Sequence, residues 1–278
     1  MKLLVTLLLC LQIFGAGAKE VVMWSGDYDT PHLREVMLNA LALTEEDYGP
    51  FTLVPSSPVE QGRAFSELAN NKNIDIFVGG VSIQREQAAR AVYVPISRAL
   101  LGVRICLIPS DNPDFININT IEDIREQDLT FGLGIHWPDS LVFKAYAFNV
   151  VESPIYSSLF NMLKKQRFDC FPRSILEIDT ELAQDYAEGL RSEKHLLIVY
   201  PLADFVFVSK ENTALHERIS VGMQRSIENG SFDEIFNRYH MPKILRHNIS
   251  ERTIVRLENN NMTQTAADAI NKYGFRIE

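Results

Sequence analysis

From Glu20 onward the chain alternates between short β-rich apolar runs and longer stretches whose apolar residues recur at helical spacing. Val21–Trp24 predicts a first strand. Thr30-Pro31 then supplies an N-cap residue with proline at the first helical position, and Leu33, Val36, Met37, Ala40 and Leu41 share one face of the helix that follows. Gly49-Pro50 breaks that helix, and Phe51–Val54 predicts a second strand. Ser57-Pro58-Val59-Glu60 has the form of a capping box, opening a helix that buries Ala64, Phe65 and Leu68 until Asn70–Asn73 ends it. Ile74–Val78 is the third strand, closed by Gly79-Gly80. The order βαβαβ predicts a parallel, doubly wound α/β sheet.

A second unit of this kind spans roughly 104–200. Leu100–Ile108 is long and apolar, Leu129–Leu133 reads as a strand, and a glycine-containing loop leads to a helix from about Asp139 to Phe148. Ser158–Lys165 is a further helix, Phe168–Phe171 a strand and Ser174–Ala183 another helix. Two β-rich runs, His195–Tyr200 and Phe205–Val208, surround Pro201. Leu215, Ile219, Gly222, Met223 and Ile227 then share one helix face, Asn229-Gly230 stops that helix, and Ser231–Glu234 caps the next. The tail beyond about 250 is polar and predicts little core. The two units could stand in series, or they could interleave, with the chain crossing near 102 and returning near 203; pattern leaves both open.

The N-terminus differs in kind. Lys2, an apolar run from Leu3 to Phe14, and Gly15-Ala16-Gly17-Ala18 form a secretory signal peptide over residues 1–18, so an exported, periplasmic protein is expected. Leu7-Leu8-Leu9 before Cys10 lacks the small residue that an acylated cysteine requires. Without residues 1–18 the charge becomes −10, from 26 basic and 36 acidic residues, and no basic stripe suits nucleic acid. Cys106 and Cys170 both lie in apolar runs; they are either one bridge or two buried thiols, and the reading leans to thiols.

No P-loop, HExxH, CxxC or GxSxG motif is present, and Gly132-Leu133-Gly134 lacks the third glycine of a dinucleotide fingerprint. The six histidines show no metal-like clustering, so neither metal nor cofactor is expected. Ligands of parallel α/β sheets collect beyond the carboxyl ends of the strands. The loops there carry Asp27, Tyr28, Arg85, His136, Trp137 and Arg173, aromatic faces and charges suited to a small-molecule cleft. Arg173 could clamp an anion in bidentate fashion or pair with Glu177 one helical turn on. Trp137 could stack on a ligand or pack between lobes, and Asp139 and Ser140 read as helix caps.

Leu68–Ser82, Tyr93-Val94-Pro95-Ile96, Leu101–Ile108 and Asn229–Phe236 together resemble the extracellular solute-binding proteins of family 3, amino-acid-binding components of ABC importers. His136–Asp139 and Arg167–Arg173 look like a distinct branch of such proteins. The resemblance implies the type II periplasmic-binding-protein fold: lobe one from 19–103 plus 203–278, lobe two from 104–202, and a two-strand hinge near 100–104 and 200–204. It implies a monomer that closes around a small solute for import or sensing, with an ABC permease or membrane sensor as partner, rather than an enzyme. Arg85 is the nearest counterpart of the family's carboxylate-binding arginine, slightly offset. The family's ammonium-binding acid is replaced here by Pro172-Arg173, which points to an anionic or polyfunctional ligand. Two alternatives stay open: a dehydratase-like enzyme of this fold using Glu177, and a sensory module that has lost its ligand.

Overall fold

The computed structural model describes residues 18–277, so the signal-peptide segment up to Gly17, with Cys10, lies outside the described residues. Twelve strands are present among these: β1 Lys19–Met23, β2 Phe51–Pro55, β3 Phe77–Gly80, β4 Ala89–Val92, β5 Val103–Pro109, β6 Thr130–Gly134, β7 Asn149–Ser153, β8 Phe171–Ser174, β9 Leu190–Ser192, β10 Leu196–Val199, β11 Asp204–Ser209 and β12 Thr253–Arg256.

The two units are interleaved. β1 and β2 pair in parallel, a parallel bridge Met23–Ile76 carries the sheet to the β3 segment, and β11 lies antiparallel between β3 and β4. The second sheet repeats the plan: β6 and β7 are parallel, a bridge Phe131–Cys170 leads toward β8, and β5 lies antiparallel between β8 and the pair β9 and β10. In each sheet the antiparallel strand begins directly after a crossing. β5 follows the turn Leu100–Gly102, and β11 follows Pro201-Leu202-Ala203. The crossings run side by side: Tyr200 N–H donates to Gly102 O at 3.0 Å, and Ile96 N–H to Asp204 O at 3.0 Å.

Helical periodicity matches the buried face where that face is wide. Helix Pro31–Ala42 buries the five residues named for it, against Leu215, Ile219 and Met223 of helix Thr213–Glu228. Other boundaries shift. The helix expected from Pro58 starts at Gln61, without a side-chain cap, because Trp24 Nε1–H donates to Val59 O at 3.0 Å and keeps that stretch extended. Gly230, at φ 82°, is the N-cap of helix Ser231–Arg246 in place of a Ser231 box. The expected helix Ser174–Ala183 shortens to Ile178–Leu182, because the strand continues through Arg173 and Ser174.

The cysteines are bridged: Cys106 of β5 and Cys170 form a disulfide with a Cα–Cα distance of 5.1 Å, correcting the lean toward thiols. The tail also departs from expectation. β12 pairs in parallel with β10, so part of the segment assigned to lobe one belongs to the second sheet. Val255, Leu257, Ala266 and Ala269 are buried. Sequence pattern hid this because the apolar positions are few and small, set among asparagines and threonines. The tail then returns to the first lobe, where Glu86 accepts from Thr263 N–H and its hydroxyl, and Asn261 O accepts from Ile83 N–H.

Candidate functional site

The carboxyl ends of the strands converge where the sheets face each other, and charged side chains gather there. After β1, Asp27 turns inward on the helical turn Ser25–Tyr28 and accepts from Val78 N–H at 2.6 Å. Burial pushes its carboxyl well above the usual range, against the pull of the Val78 bond and Arg85. After β3, Ser82 caps the helix Ile83–Ala88 through its hydroxyl, and that helix presents Arg85. The guanidinium donates to Gly80 O at 2.8 Å and to His136 O, across the cleft, at 3.3 Å. It lies over the rings of Phe65 and Phe77 at 5.3 and 5.2 Å. Arg85 is 6% exposed and forms no ion pair among the described residues. Burial draws its pKa down to about 10, with Asp139 and Asp27 opposing.

Across the cleft two further arginines are buried, and both are paired. Arg173 sits within β8 opposite Ile105, and its Nε donates to both oxygens of Glu181 at 2.8 and 2.9 Å. Its Nη2 donates to Glu177 at 3.0 Å. The Trp137 ring covers the guanidinium at 4.7 Å and stacks on Phe171 at 9° between planes. Arg104 of β5 donates to Tyr200 Oη at 3.0 Å, pairs with Asp139, and reaches Glu177 at 3.5 Å. Tyr200 also donates to Asp139, and Tyr156 to Glu181.

Of the six residues named from sequence, Asp27, Arg85, His136, Trp137 and Arg173 line this convergence. Tyr28 turns away, under Arg34 at 5.1 Å and against the lobe-one core. Arg173 takes the ion-pair option, with Glu181 and Glu177 as its partners. His136 meets Arg85 through its backbone carbonyl. Its exposed imidazole lies so close to Gly62 that a Cβ there would meet Cδ2 at 2.5 Å. Asp139 is an ion-pair partner in place of the expected cap, and Ser140 donates to Glu152. Arg104, Tyr156, Tyr200 and Trp24, which stacks on Phe77 at 5.3 Å, were missed. The one legible signal was Arg104 itself, a lone cation inside an apolar strand.

The cleft is nearly shut. The space bounded by Glu60–Gly62, Gly134–Trp137 and Tyr156 is a cavity of about 40 Å³, room for about one water molecule. One apolar cluster runs across the lobes, joining Ala64 and Phe77 to Phe131, Phe143 and Tyr200. A larger cavity of about 370 Å³ lies elsewhere, between helix Pro138–Ala145 and Glu258–Asn261 of the tail.

This is the two-lobed fold of type II periplasmic binding proteins, as comparison with solved structures shows. The chain is similar to an ancestral arginine-binding protein bound to arginine, at 15% identity and TM-score 0.57, over 81% of this chain and 99% of that one. It is similar to the substrate-binding protein of an amino acid ABC transporter, at 14% identity and TM-score 0.56, covering 80% and 99% of the two chains. A histidine kinase sensor domain with similarity to periplasmic binding proteins matches at 15% identity and TM-score 0.56, over 80% and 96%. No family model and no curated protein matches the chain. Among the described residues no helix is long and apolar enough to cross a membrane.

Proposed function

We propose that this protein is an exported solute-binding protein, not an enzyme, whose lobes close on a small anionic or amino-acid-like ligand for import or sensing. Arg85 carries the reading. A guanidinium buried on two carbonyls and two aromatic faces, with Asp139 and Asp27 acting on it from beyond ion-pair distance, is costly, and it gains a direct counter-ion when a carboxylate enters between the lobes. Trp137 and His136 line the residual space between the lobes, and Trp24 stacks on Phe77 beneath Arg85; these rings would pack on the rest of the ligand, with Asp27 near Arg85 for an ammonium group. Entry requires the lobes to part, and a ligand favours the closed state by its extra contacts there. The disulfide and the N-terminal segment support export to an oxidising compartment. Three carboxylates of the cleft are engaged in ion pairs: Asp139 by Arg104, Glu181 by Arg173, and Glu177 by both arginines.

The test is native mass spectrometry of the gently purified protein, followed by titration calorimetry of the stripped protein against amino acids and small organic acids. A bound acid whose affinity collapses in Arg85→Met is the expected result. The small cavity favours one other reading, a sensory module that has lost its ligand. Empty protein in the mass spectrum, and no heat with any acid, would establish that reading and overturn ours.

A further inference from the structure

Glu177 stands apart from the other acids of the cleft. Its side chain is 39% exposed, whereas Arg104, Arg173, Asp139 and Glu181 are each at most 8% exposed. Each arginine already has a private carboxylate, Asp139 for Arg104 and Glu181 for Arg173, and each of those acids is held in turn by a tyrosine hydroxyl. Glu177 is the third acid on two guanidiniums. Its Oε2 sits 3.0 Å from Arg173 Nη2 and 3.5 Å from Arg104 Nη1, and accepts a long bond from Ser174 N–H at 3.4 Å. No other hydrogen bond or ion pair holds the carboxylate among the described residues, and the Lys243 ammonium acts on it only at longer range.

We propose that Glu177 is a tethered occupant of an anion site built by Arg104 and Arg173, and that a second carboxylate of the ligand displaces it when the cleft fills. The site is preformed, because the arginines do not depend on Glu177 for their positions. Arg173 is fixed by Glu181 and by the rings of Trp137, Phe171 and Tyr156, at 4.7, 5.0 and 5.5 Å. Arg104 is fixed by Asp139 and Tyr200. An incoming carboxylate keeps the charge balance unchanged: one acid leaves toward solvent and one takes its place.

The site is continuous with Arg85. Arg85 donates to His136 O, the next residue, Trp137, covers Arg173, and Asp139, the partner of Arg104, also acts electrostatically on Arg85. The class of ligand that satisfies both ends is a small acid with two carboxylates, one on Arg85 and one on the Arg104–Arg173 pair. The dicarboxylate part rests on the solute-binding reading. The anion site does not.

The experiment therefore has two arms. In the first, thermal unfolding of wild type and Glu177→Ala is followed against acetate, with acetamide as the neutral isostere. Saturable stabilisation of the variant by acetate, absent with acetamide, absent in wild type and lost in Glu177→Ala/Arg104→Met, is expected. An equal response of wild type and variant, or none, overturns the proposal. In the second arm glutarate and butyrate are titrated into wild type, Glu177→Ala and Glu177→Gln; the glutamine variant keeps the arm informative if the alanine variant does not fold. Removing a competitor that fills the site most of the time raises glutarate affinity about tenfold, with little change for butyrate. Acetate rescue without glutarate binding to any of the three would uphold the anion site and overturn the dicarboxylate ligand.

Discussion

Three arginines meet in one cleft, and their surroundings give them different work. Arg104 and Arg173 are paired directly with acids, while Arg85 is hydrogen-bonded to carbonyls, lies on aromatic faces and has no ion pair among the described residues. Replacing Arg85 by methionine keeps the apolar stem and removes a charge-assisted contact, so ligand affinity is expected to fall roughly 100-fold with little loss of fold. Calorimetry reads the affinity and thermal unfolding the stability. A second residue-scale outcome concerns His32 and His240, whose rings meet at 4.5 Å beside Lys243. Burial first, and then Lys243, lowers His32 to about 3; burial, His32 and Lys243 lower His240 to about 2. Both stay neutral when folded but protonate near 6.5 when unfolded, so their contribution is full above 6.5 and is lost as pH falls. Each histidine costs about 1.4 kcal/mol per pH unit in that window. Urea unfolding at stepped pH should show a shallower acid slope for His240→Phe; an unchanged slope would refute this assignment. Asp27, Arg85 and Trp137 were legible because strand-end loops are where such groups collect. The pairing of Arg173 with Glu181 was not, since it depends on how far β8 runs before its helix begins.

Helices and strands were legible in kind and order, and their ends were decided by contacts remote in sequence. The Ser57–Glu60 box fails as a cap because Trp24, just after β1, claims Val59 O. β8 runs on through polar residues because Glu181 satisfies Arg173 and Leu100 O accepts from the Ser174 hydroxyl. The disulfide acts at this scale too, tying β5 to the segment that enters β8 across 64 residues of sequence. Closing a loop of that length removes about 4 kcal/mol of unfolded-state entropy in the simplest chain model. Cys106→Ala/Cys170→Ala should therefore lose about 2–4 kcal/mol in denaturant unfolding, and dithiothreitol should have the same effect on wild type. A difference below 1 kcal/mol, roughly the scale of an ordinary surface change, would show that packing of the two strands suffices.

At the scale of the molecule, sequence established two α/β units but could not choose between series and interleaving. Only the sheet pairing shows β5 opening the second sheet and β11 returning the chain to the first, between β3 and β4. The neck between the units is tight. A Cβ on Gly102 would lie 1.9 Å from Tyr200 O and 3.0 Å from Leu202 N, both backbone atoms that cannot swing aside. Gly102→Ala should cost about 2–3 kcal/mol and alter how far the lobes close, which small-angle scattering with and without ligand would register. Unchanged stability and scattering would mean that the neck yields freely.

That neck also limits the kinds of motion open to the protein. With Tyr200 laced to Gly102 and Ile96 to Asp204, the two crossings form a single ribbon, and sliding one past the other would sever the lacing. The tail adds a second tie, running from β12 beside β10 back to Glu86 and Ile83 of the first lobe. A swing that parts the lobes must therefore loosen the tail's hold on Glu86 and Ile83 as well as bend the laced ribbon.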